Sequence, residues 1–183
     1  MKPRVLILIV SYHAEQFIHA VLDRIPAAIW NSERFDVEVL IIDDQSKDQT
    51  FARAVDYVRQ HGRTNITVLY NPKNQGYGGN QKIGYHYAVD KGFDYVVLLH
   101  GDGQYAPEHL GAMIDPLLNN EADVVLGSRM INRADALRGK MPLYKWVGNQ
   151  ILTFCQNRIL GTNLAEFHTG YRAFRVSSAA RCI

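Results

Sequence analysis

The sequence predicts an α/β fold, a Rossmann-like three-layer sandwich with a mainly parallel central sheet. Short β-rich runs alternate with amphipathic segments of helical length almost to the end of the chain, which is typical of βαβ units. Runs such as VLILIV and YVVLL are apolar at nearly every position, as in parallel strands that helices cover on both faces. The 183 residues fit one domain, at roughly 150 residues per domain.

The predicted elements follow in regular order. The strands are Val5–Val10, Val37–Asp43, Thr67–Tyr70, Tyr95–Leu99, Val124–Ser128 and Tyr171–Val176. The helices between them are Glu15–Ile25, Gln49–His61, Gln81–Lys91, Pro107–Asn119 and Tyr144–Leu160. Pro107 suits the first turn of its helix, where its missing N–H costs nothing. Residues Met130–Pro142 lack clear periodicity, and a long irregular segment in a compact domain is usually functional or mobile.

Composition and charge exclude several classes of protein. Apolar residues make up 47% and charged residues 21% of the chain, which excludes a disordered, collagen-like or coiled-coil protein. Twenty Lys and Arg against eighteen Asp and Glu give a net charge of +2, which is too small for a general nucleic-acid binder. Any basic site must therefore be local.

The cysteines and the apolar runs indicate the compartment. Cys155 and Cys182 are the only cysteines, so a disulfide framework or a zinc site is not predicted, and a reducing compartment fits best. The run Val5–Val10 is too short for a signal peptide and has no cleavage site after it. No stretch reaches the 18 or more apolar residues of a membrane span, so we expect a cytoplasmic protein that can still sit on a membrane.

Polar residues that directly follow the strands are the candidate ligand-binding residues, because open parallel sheets bind ligands outside the carboxyl ends of their strands. Asp43 and Asp44 end the second strand. Neighbouring strand residues point to opposite sides, so one carboxylate can cap backbone while the other accepts from a ribose hydroxyl or a base N–H. We expect Asp44 to contact the ligand. The alternative is a strand end followed by a helix cap.

The glycine-rich segment NQGYGGNQK follows the third strand. Glycines such as Gly76 let backbone amides approach an anion at a helix N-terminus, and Lys82 adds a positive charge. The segment matches neither GxxxxGK[ST] nor GxGxxG, so an ordinary glycine-rich turn is the alternative.

The segment HGDGQYAPE follows the fourth strand and suggests a metal site. Asp102 and Gln104 alternate just past the strand, so their oxygens can point the same way. Mg²⁺ takes one or two carboxylates and completes its shell with water and substrate phosphates. His100 is either a strand-end histidine or a ligand that shifts the preference toward Mn²⁺.

Two later segments carry charge. Five basic residues but only one acidic residue lie between Arg129 and Lys145, which suits a phosphate-bearing partner or an anionic membrane as well as a solvated surface. The segment EFHTGYRAF places Glu166, His168 and Arg172 around a glycine. They form either a base with an anion clamp or a salt-bridged corner.

Taken together, six segments resemble family 2 glycosyltransferases with the GT-A fold, in the branch of dolichyl-phosphate mannose synthase and other polyprenyl-phosphate glycosyltransferases. In order, they are IVSYHAE, IIDDQSKDQT, NQGYGGNQKIG, LLHGDGQYAPE, VVLGSRM and HTGYRAF. The resemblance runs from Val5 to about Phe174. It implies a single glycosyltransferase catalytic domain over residues 1–183, and we expect the natural protein to continue beyond Ile183.

The resemblance also implies roles for particular residues. The nucleotide sugar would be held by the backbone around Val10 and Tyr12 and by Glu15, Asp44 and Asp102. We expect Gly76 and Lys82 of the glycine-rich segment to bind it as well. The metal, Mg²⁺ or Mn²⁺, would lie on Asp102 and Gln104, and Arg129, Lys145 and Asn149 would gather the acceptor phosphate, with Arg172 as a further anion contact. The sequence departs from the family pattern at three positions: His13 replaces an Asn, His100 replaces the first metal-motif carboxylate, and Glu166 replaces an Asp.

The implied reaction transfers a sugar from a nucleotide-diphosphate sugar to a polyprenyl phosphate, with inversion, at the cytoplasmic face of a membrane. Asp102 and Glu166 are the predicted catalytic residues, and Glu166 would act as a general base if the acceptor were instead a saccharide hydroxyl. A sugar nucleotidyltransferase is an alternative, although SYHAEQ lacks its glycine-rich basic loop. An inactive sugar-nucleotide-binding module is another alternative, because His100 replaces a metal ligand.

Overall fold

The structure is a computed structural model that describes residues 1–128, 143–167 and 169–179, with the backbone alone at 143–147 and 179. The predicted irregular segment Met130–Pro142 lies outside the described residues, as do Arg129, His168 and Cys182.

The described residues form six strands and seven α-helices. The strands are β1 (Arg4–Ser11), β2 (Asp36–Asp43), β3 (Ile66–Tyr70), β4 (Tyr95–His100), β5 (Val124–Gly127) and β6 (Tyr171–Arg175). The helices are α1 (Ile18–Asp23), α2 (Ala27–Trp30), α3 (Thr50–His61), α4 (Gly76–Asp90), α5 (Leu110–Leu118), α6 (Leu143–Leu160) and α7 (Val176–Ala179), and a 3₁₀ turn spans Pro107–His109.

The sheet has the strand order β3-β2-β1-β4-β6-β5. β1 pairs in parallel with β2 and β4, and β2 pairs in parallel with β3. β6 runs antiparallel to β4. The predicted α/β fold with a mainly parallel sheet is therefore confirmed.

The central strand β1 is covered on both faces, which explains its apolar sequence. All residues from Val5 to Val10 are buried, although successive side chains point to opposite sides of the sheet. On one face, Leu6, Leu8 and Val10 belong to a core cluster that includes Ala88 of α4. The helix approaches so closely that a Cβ on Gly84 would lie 2.3 Å from Cδ2 of Leu8.

Helix α4 begins at Gly76, five residues before the predicted start at Gln81. Side-chain acceptors satisfy the exposed amides at this end, which is what a helix N-terminus requires. Oδ1 of Asn74 accepts from the N–H of Gly76 at 2.9 Å, and Oδ1 of Asp44 accepts from the N–H of Gln75 at 2.8 Å. Hydrogen bonds to side-chain acceptors therefore outweigh the low helix propensity of the glycines.

Other helices begin or end at residues that differ from the predicted ones. Helix α1 is shorter than the predicted Glu15–Ile25, because residues 15–17 form a turn and because Pro26 disfavours helix at the preceding residue. The four-residue helix α2 follows Pro26 and was not predicted. The predicted helix Pro107–Asn119 begins as the 3₁₀ turn and ends at Leu118.

The chain divides into two compact units. The first contains Met1–Val125 and Arg172–Ile183, and the second contains Leu126–Tyr171. Among the described residues, none of the helices combines the length and the apolar character that crossing a bilayer needs.

Candidate active site

The first unit contains a cleft of about 570 Å³ at the carboxyl ends of β1, β2 and β4. This is the edge at which parallel α/β sheets bind their ligands. Its lining mixes carboxylates, amides and aromatic rings: Val10, Ser11, Tyr12, Asp44, Gln45, Lys47, Asn74, Gly76, Tyr77, Asn80, His100 and Asp102. Five predicted nucleotide-sugar residues, Val10, Tyr12, Asp44, Gly76 and Asp102, are thus brought together.

The adjacent carboxylates at the end of β2 have different surroundings. Oδ1 of Asp43 accepts from the N–H of Ser46 at 2.9 Å and so caps the following turn. Oδ1 of Asp44 accepts from Nδ2 of Asn71 and from the N–H of Gln75, each at 2.8 Å. Asp44 lines the cleft, and its Oδ2 makes no hydrogen bond with any described residue. The carboxylate is held at one oxygen and leaves the other for a ligand.

Two buried polar atoms at this edge have no hydrogen-bond partner in the described part of the chain: Oγ of Ser11 and Oδ2 of Asp43. The two residues are opposite each other in the β1–β2 register. Buried polar atoms are nearly always hydrogen-bonded in native structures. These two atoms can therefore still form hydrogen bonds with water or a ligand.

Gly101 allows the loop after β4 to pass close to β1. A Cβ at this position would lie 2.3 Å from Oγ of Ser11 and 3.4 Å from Cβ of Ala14. A larger residue would push the loop away from the strand, and Asp102 would move with it. Gly101 in the HGDG segment therefore allows the loop to pack closely against β1 beside the cleft.

His100, the last residue of β4, lies among aromatic rings. Its Nε2 is 2.9 Å from the hydroxyl of Tyr77, and its ring packs edge-on against Tyr77 and Tyr105. Burial, assisted by Tyr105, raises the pKa of Tyr77, so its hydroxyl is protonated at neutral pH. Tyr77 was not among the predicted site residues, although it lies inside the NQGYGGNQK segment that pointed to this site.

The loop after β4 separates Asp102 from Gln104. Oδ1 of Asp102 accepts from the N–H of Gln104 at 3.0 Å, which closes a tight turn. β4 has already ended at His100, so strand alternation does not apply to this segment. Asp102 lines the cleft, whereas Gln104 is exposed and is not part of the lining.

The cleft offers few donor atoms for a metal ion. No group of three or more His, Cys, Asp and Glu side chains suited to a metal occurs among the described residues. Apart from Asp44, the cleft lining contains the carboxylate of Asp102 and the imidazole of His100. A divalent ion that takes its remaining ligands from water and a diphosphate fits this donor set, and an all-protein metal site does not.

Two other predicted nucleotide-sugar residues lie outside the cleft lining. Glu15 accepts from the N–H of Gln49 through Oε2 at 2.8 Å, next to the start of α3. Lys82 is exposed on the second turn of α4. Arg172, on β6, is partly buried and pairs with Leu98 of β4 in the sheet register.

The second unit contains a hydrogen-bonded cluster around Glu166, which is 2% exposed. Oε1 of Glu166 accepts from Nδ2 of Asn149 at 3.0 Å, and Oε2 accepts from Oγ of Ser128 at 3.1 Å. Oγ1 of Thr153 donates to Oδ1 of Asn149 at 3.3 Å. Glu166 and Asn149, which were predicted to have separate roles, are therefore joined by a hydrogen bond. Lys145 is a residue of α6, of which the structure describes only the backbone at this position.

Residues 6–182 match the family described as Glycosyl transferase family 2. The chain belongs to this family. The predicted family is therefore confirmed, and the predicted enzyme class, a glycosyltransferase, is the class of family 2.

Two curated relatives of this family 2 chain act on lipid phosphates according to their names. UDP-N-acetylglucosamine–dolichyl-phosphate N-acetylglucosaminyltransferase of Methanococcus voltae is 28% identical, over 94% of this chain and 69% of that protein. Undecaprenyl-phosphate mannosyltransferase of Micrococcus luteus is also 28% identical, over 96% of this chain and 68% of that protein. These names fit the predicted branch of the family.

The family 2 chain is also similar in fold to solved GT-A glycosyltransferases. Mannosyltransferase PcManGT from Pyrobaculum calidifontis, solved in complex with GDP-Man and Mn²⁺, superposes with a TM-score of 0.68 at 18% identity. The match covers 100% of this chain and 47% of that one. The chain therefore spans about two thirds of the two curated relatives and about half of the solved protein.

Proposed function

We propose that this chain is the donor-binding and catalytic part of an enzyme that transfers a sugar from a nucleotide-diphosphate sugar to a polyprenyl phosphate. The observation that carries the proposal is the arrangement of Asp44 and Asp102 in one cleft at the carboxyl end of the sheet. The names of the curated relatives support the lipid phosphate as acceptor.

In this proposal the nucleoside lies against Val10, Tyr12 and Asp44, and the diphosphate lies toward Gly76 and Asp102. Asn71 and Gln75 hold Oδ1 of Asp44. Its Oδ2 can therefore accept from the base or ribose with little further loss of side-chain entropy. Glu15 acts indirectly by holding the start of α3, and Lys82 contributes a positive charge near the site.

Asp102, with Gln104 and His100 nearby, would hold a divalent ion, Mg²⁺ or Mn²⁺. When bound, such an ion supplies Lewis-acid stabilisation of the negative charge that develops on a diphosphate leaving group. The hydrogen bond from the N–H of Gln104 fixes the Asp102 carboxylate before substrate binds. A fixed carboxylate loses less entropy on binding than a mobile one.

The acceptor phosphate is assigned to Arg129, Lys145, Asn149 and Arg172. A polyprenyl phosphate is ionised at neutral pH and needs no base to become a nucleophile, so these residues would position it through charge-assisted hydrogen bonds. Direct displacement by this phosphate predicts inversion at the anomeric carbon. Oε1 and Oε2 of Glu166 already accept hydrogen bonds. We therefore assign Glu166 the role of positioning the Asn149 side chain.

The test is transfer of labelled sugar from a panel of UDP- and GDP-sugars to undecaprenyl or dolichyl phosphate by the full-length protein, with Mn²⁺, Mg²⁺ or a chelator. We expect a glycolipid product that requires a divalent ion and is lost in Asp102→Asn. The matched control is Asp90→Asn, at the exposed end of α4. Transfer only to a saccharide hydroxyl, or formation of nucleotide sugar from sugar phosphate, would contradict the proposal.

The acceptor assignment needs a separate measurement. In Arg129→Ala and Lys145→Ala, we expect calorimetric donor affinity to stay within a factor of a few while transfer to the lipid phosphate falls by orders of magnitude. Equal losses of donor binding and transfer would place these residues at the nucleotide.

A further inference from the structure

The carboxylate of Asp44 offers a single oxygen to a ligand. The residue is 3% exposed and lines the cleft. Its Oδ1 accepts from Nδ2 of Asn71 and from the N–H of Gln75, each at 2.8 Å. Because a carboxylate oxygen accepts about two hydrogen bonds, Oδ1 is filled. Oδ2 makes no hydrogen bond with any described residue, so a ligand meets one free acceptor atom.

A network of buried amides fixes the orientation of this carboxylate. Nδ2 of Asn71 also donates to Oδ1 of Asn80 at 3.3 Å, and Nδ2 of Asn80 donates to the carbonyl of Ile42 at 3.1 Å. Asn71 and Asn80 are both buried. On the other side, Nδ2 of Asn74 donates to the carbonyl of Asp44 at 2.8 Å. The side chain therefore cannot turn Oδ1 into the cleft without breaking hydrogen bonds of this network.

An aromatic ring lies at the same end of the cleft. The carbonyl of Ser11 accepts from the N–H of Asp44 at 2.9 Å, which joins the end of β1 to the end of β2. Tyr12 follows directly, lines the cleft and is 52% exposed, and its ring packs edge-on against His13. Exposed aromatic rings stack on nucleobases. A carboxylate repels a diphosphate, so this end of the cleft suits the neutral part of a nucleotide.

We propose that this end of the cleft selects uracil over guanine, with the N3–H of uracil donating to Oδ2 of Asp44 and the base stacking on Tyr12. The inference rests on the proposed use of a nucleotide-diphosphate sugar and adds the identity of its base. One curated relative is named for a UDP-sugar and one similar solved structure contains GDP-Man, so similarity does not decide the base.

The hydrogen-bonding edges of the two bases carry different numbers of donors. Guanine carries two adjacent donors, N1–H and N2–H, which match a carboxylate with both oxygens free, as in other bidentate pairs. Asp44 can match one of them, and a donor left without a partner in the cleft weakens binding by about tenfold or more. Uracil carries one N–H between two carbonyls, so Oδ2 satisfies its donor. Lys47, which is exposed and lines the cleft, can donate to one of the carbonyls.

Asp44→Asn distinguishes the base from the ribose as the partner of Oδ2. Oδ1 of the asparagine is held by the same two N–H donors, so its amide nitrogen takes the place of Oδ2. A ribose hydroxyl both donates and accepts and can adapt to either group. The N3–H of uracil donates only and is opposed by the amide, whereas N3 of cytosine is an acceptor and is matched by it.

The test is calorimetry on the full-length protein with UDP, CDP, GDP and inosine diphosphate, without an acceptor. We expect UDP to bind most tightly and GDP about tenfold or more weakly. Inosine diphosphate, which lacks the N2 amino group, should bind no more weakly than GDP. UDP methylated at N3 should lose about tenfold or more in affinity relative to UDP, and this comparison needs no protein variant.

Substitutions then separate recognition of the base edge from stacking. In Asp44→Asn we expect CDP to bind more tightly than UDP, and methylation of UDP at N3 to cause no further loss. Asp43→Asn is the matched control, because Asp43 is adjacent but caps Ser46 and is not part of the cleft lining, and it should keep UDP ahead of CDP. Tyr12→Ser should weaken all four nucleotides by a similar factor, since stacking tolerates every base.

Several outcomes would overturn the proposal. Tighter binding of GDP than of UDP, or a tenfold preference for GDP over inosine diphosphate, would show that guanine is the base recognised. Equal losses of UDP and CDP in Asp44→Asn, with N3 methylation tolerated, would place Oδ2 at the ribose. A protein that binds nucleotides in the expected order but fails to transfer sugar to polyprenyl phosphate would refute the proposed function alone. Transfer from GDP-sugars and not from UDP-sugars would refute this inference alone.

Discussion

The hydroxyl of Tyr77, in the first turn of α4, lies 2.9 Å from Nε2 of His100 at the end of β4. The contact joins a helix N-terminus to the sheet inside the cleft, which both residues line. His100 replaces the carboxylate that the resemblance implies at this position, and an aromatic hydroxyl holds its ring. The substitution is therefore accompanied by a partner, and the imidazole is fixed in the cleft.

Tyr77→Phe should remove this hydrogen bond and leave the ring in place. We expect the free energy of unfolding to fall by about 0.5–1.5 kcal/mol, the contribution of one hydrogen bond, and the nitrogen chemical shift of His100 to change. Urea unfolding and NMR measure the two effects. Tyr12→Phe is the control, because Tyr12 also lines the cleft but its hydroxyl makes no hydrogen bond with a described residue. Equal losses in both variants would argue against a specific role for the contact.

Asp44→Asn should weaken the binding of a nucleoside diphosphate without a large loss of stability. The asparagine keeps Oδ1, which accepts from Asn71 and Gln75, and replaces only the oxygen assigned to the ligand. An unmatched donor on the ligand costs about 1–3 kcal/mol, so we expect affinity to fall by about tenfold or more. Calorimetry with UDP and GDP measures this change. Unaltered affinity would remove Asp44 from the site.

The sequence predicted the sheet and the cleft better than the details of the site. Strand composition and the position of strand ends locate Asp44, Asp102 and Gly76, because the geometry of a parallel sheet brings its carboxyl ends together. The placement of Gln104 was not predictable from alternation, because β4 ends four residues earlier. The bond between Asn149 and Glu166 joins residues 17 positions apart, which no local pattern encodes.

The start of α4 and the side of α6 that faces the second unit show a second limit of prediction from the sequence. Glycine has a low helix propensity, but acceptors on Asn74 and on the distant Asp44 satisfy the first amides of the helix at Gly76. In α6, apolar spacing identifies a helix but not which side faces the protein. That side is determined by the hydrogen bonds of Asn149 and Asn157.

Gly84→Ala should destabilise the protein. A Cβ at this position would lie 2.3 Å from Cδ2 and 2.4 Å from Cδ1 of Leu8, which is fully buried. Overpacking of a core contact typically costs about 1–3 kcal/mol. Gly111→Ala is the control, since nothing lies within 4 Å of a Cβ there, and it should be neutral or slightly stabilising. Urea unfolding compares the two, and a tolerated Gly84→Ala would show that α4 can move away from β1.

Tyr85 should ionise late in an alkaline titration. Burial raises its pKa to about 12 from the ordinary value of 10. Because the pKa is higher in the folded state, the contribution of Tyr85 to stability is complete below pH 10 and is lost as the pH rises toward 12. Tyrosinate absorbance should show that Tyr85→Phe removes one tyrosine from the late phase. Loss of a tyrosine from the early phase would contradict this assignment.

Glu166→Gln distinguishes a lipid-phosphate acceptor from a saccharide acceptor. The glutamine keeps an oxygen for the amide of Asn149, and its own amide can donate to the hydroxyl of Ser128, so the cluster in the second unit is preserved. A phosphate acceptor is already ionised and needs no base. We therefore expect transfer to polyprenyl phosphate to fall by no more than a few-fold, measured with labelled donor at saturating lipid.

Glu166→Ala provides the structural comparison. It removes the acceptor for the Asn149 amide in a buried cluster, which should cost about 1–3 kcal/mol of stability and displace Asn149 from the assigned acceptor site, with a larger loss of transfer. A general base contributes about 10²–10⁴-fold to the rate. If Glu166→Gln lost that much activity while its unfolding free energy stayed unchanged, the carboxylate would be acting on a proton. The acceptor would then be a hydroxyl, and the lipid-phosphate assignment would fail.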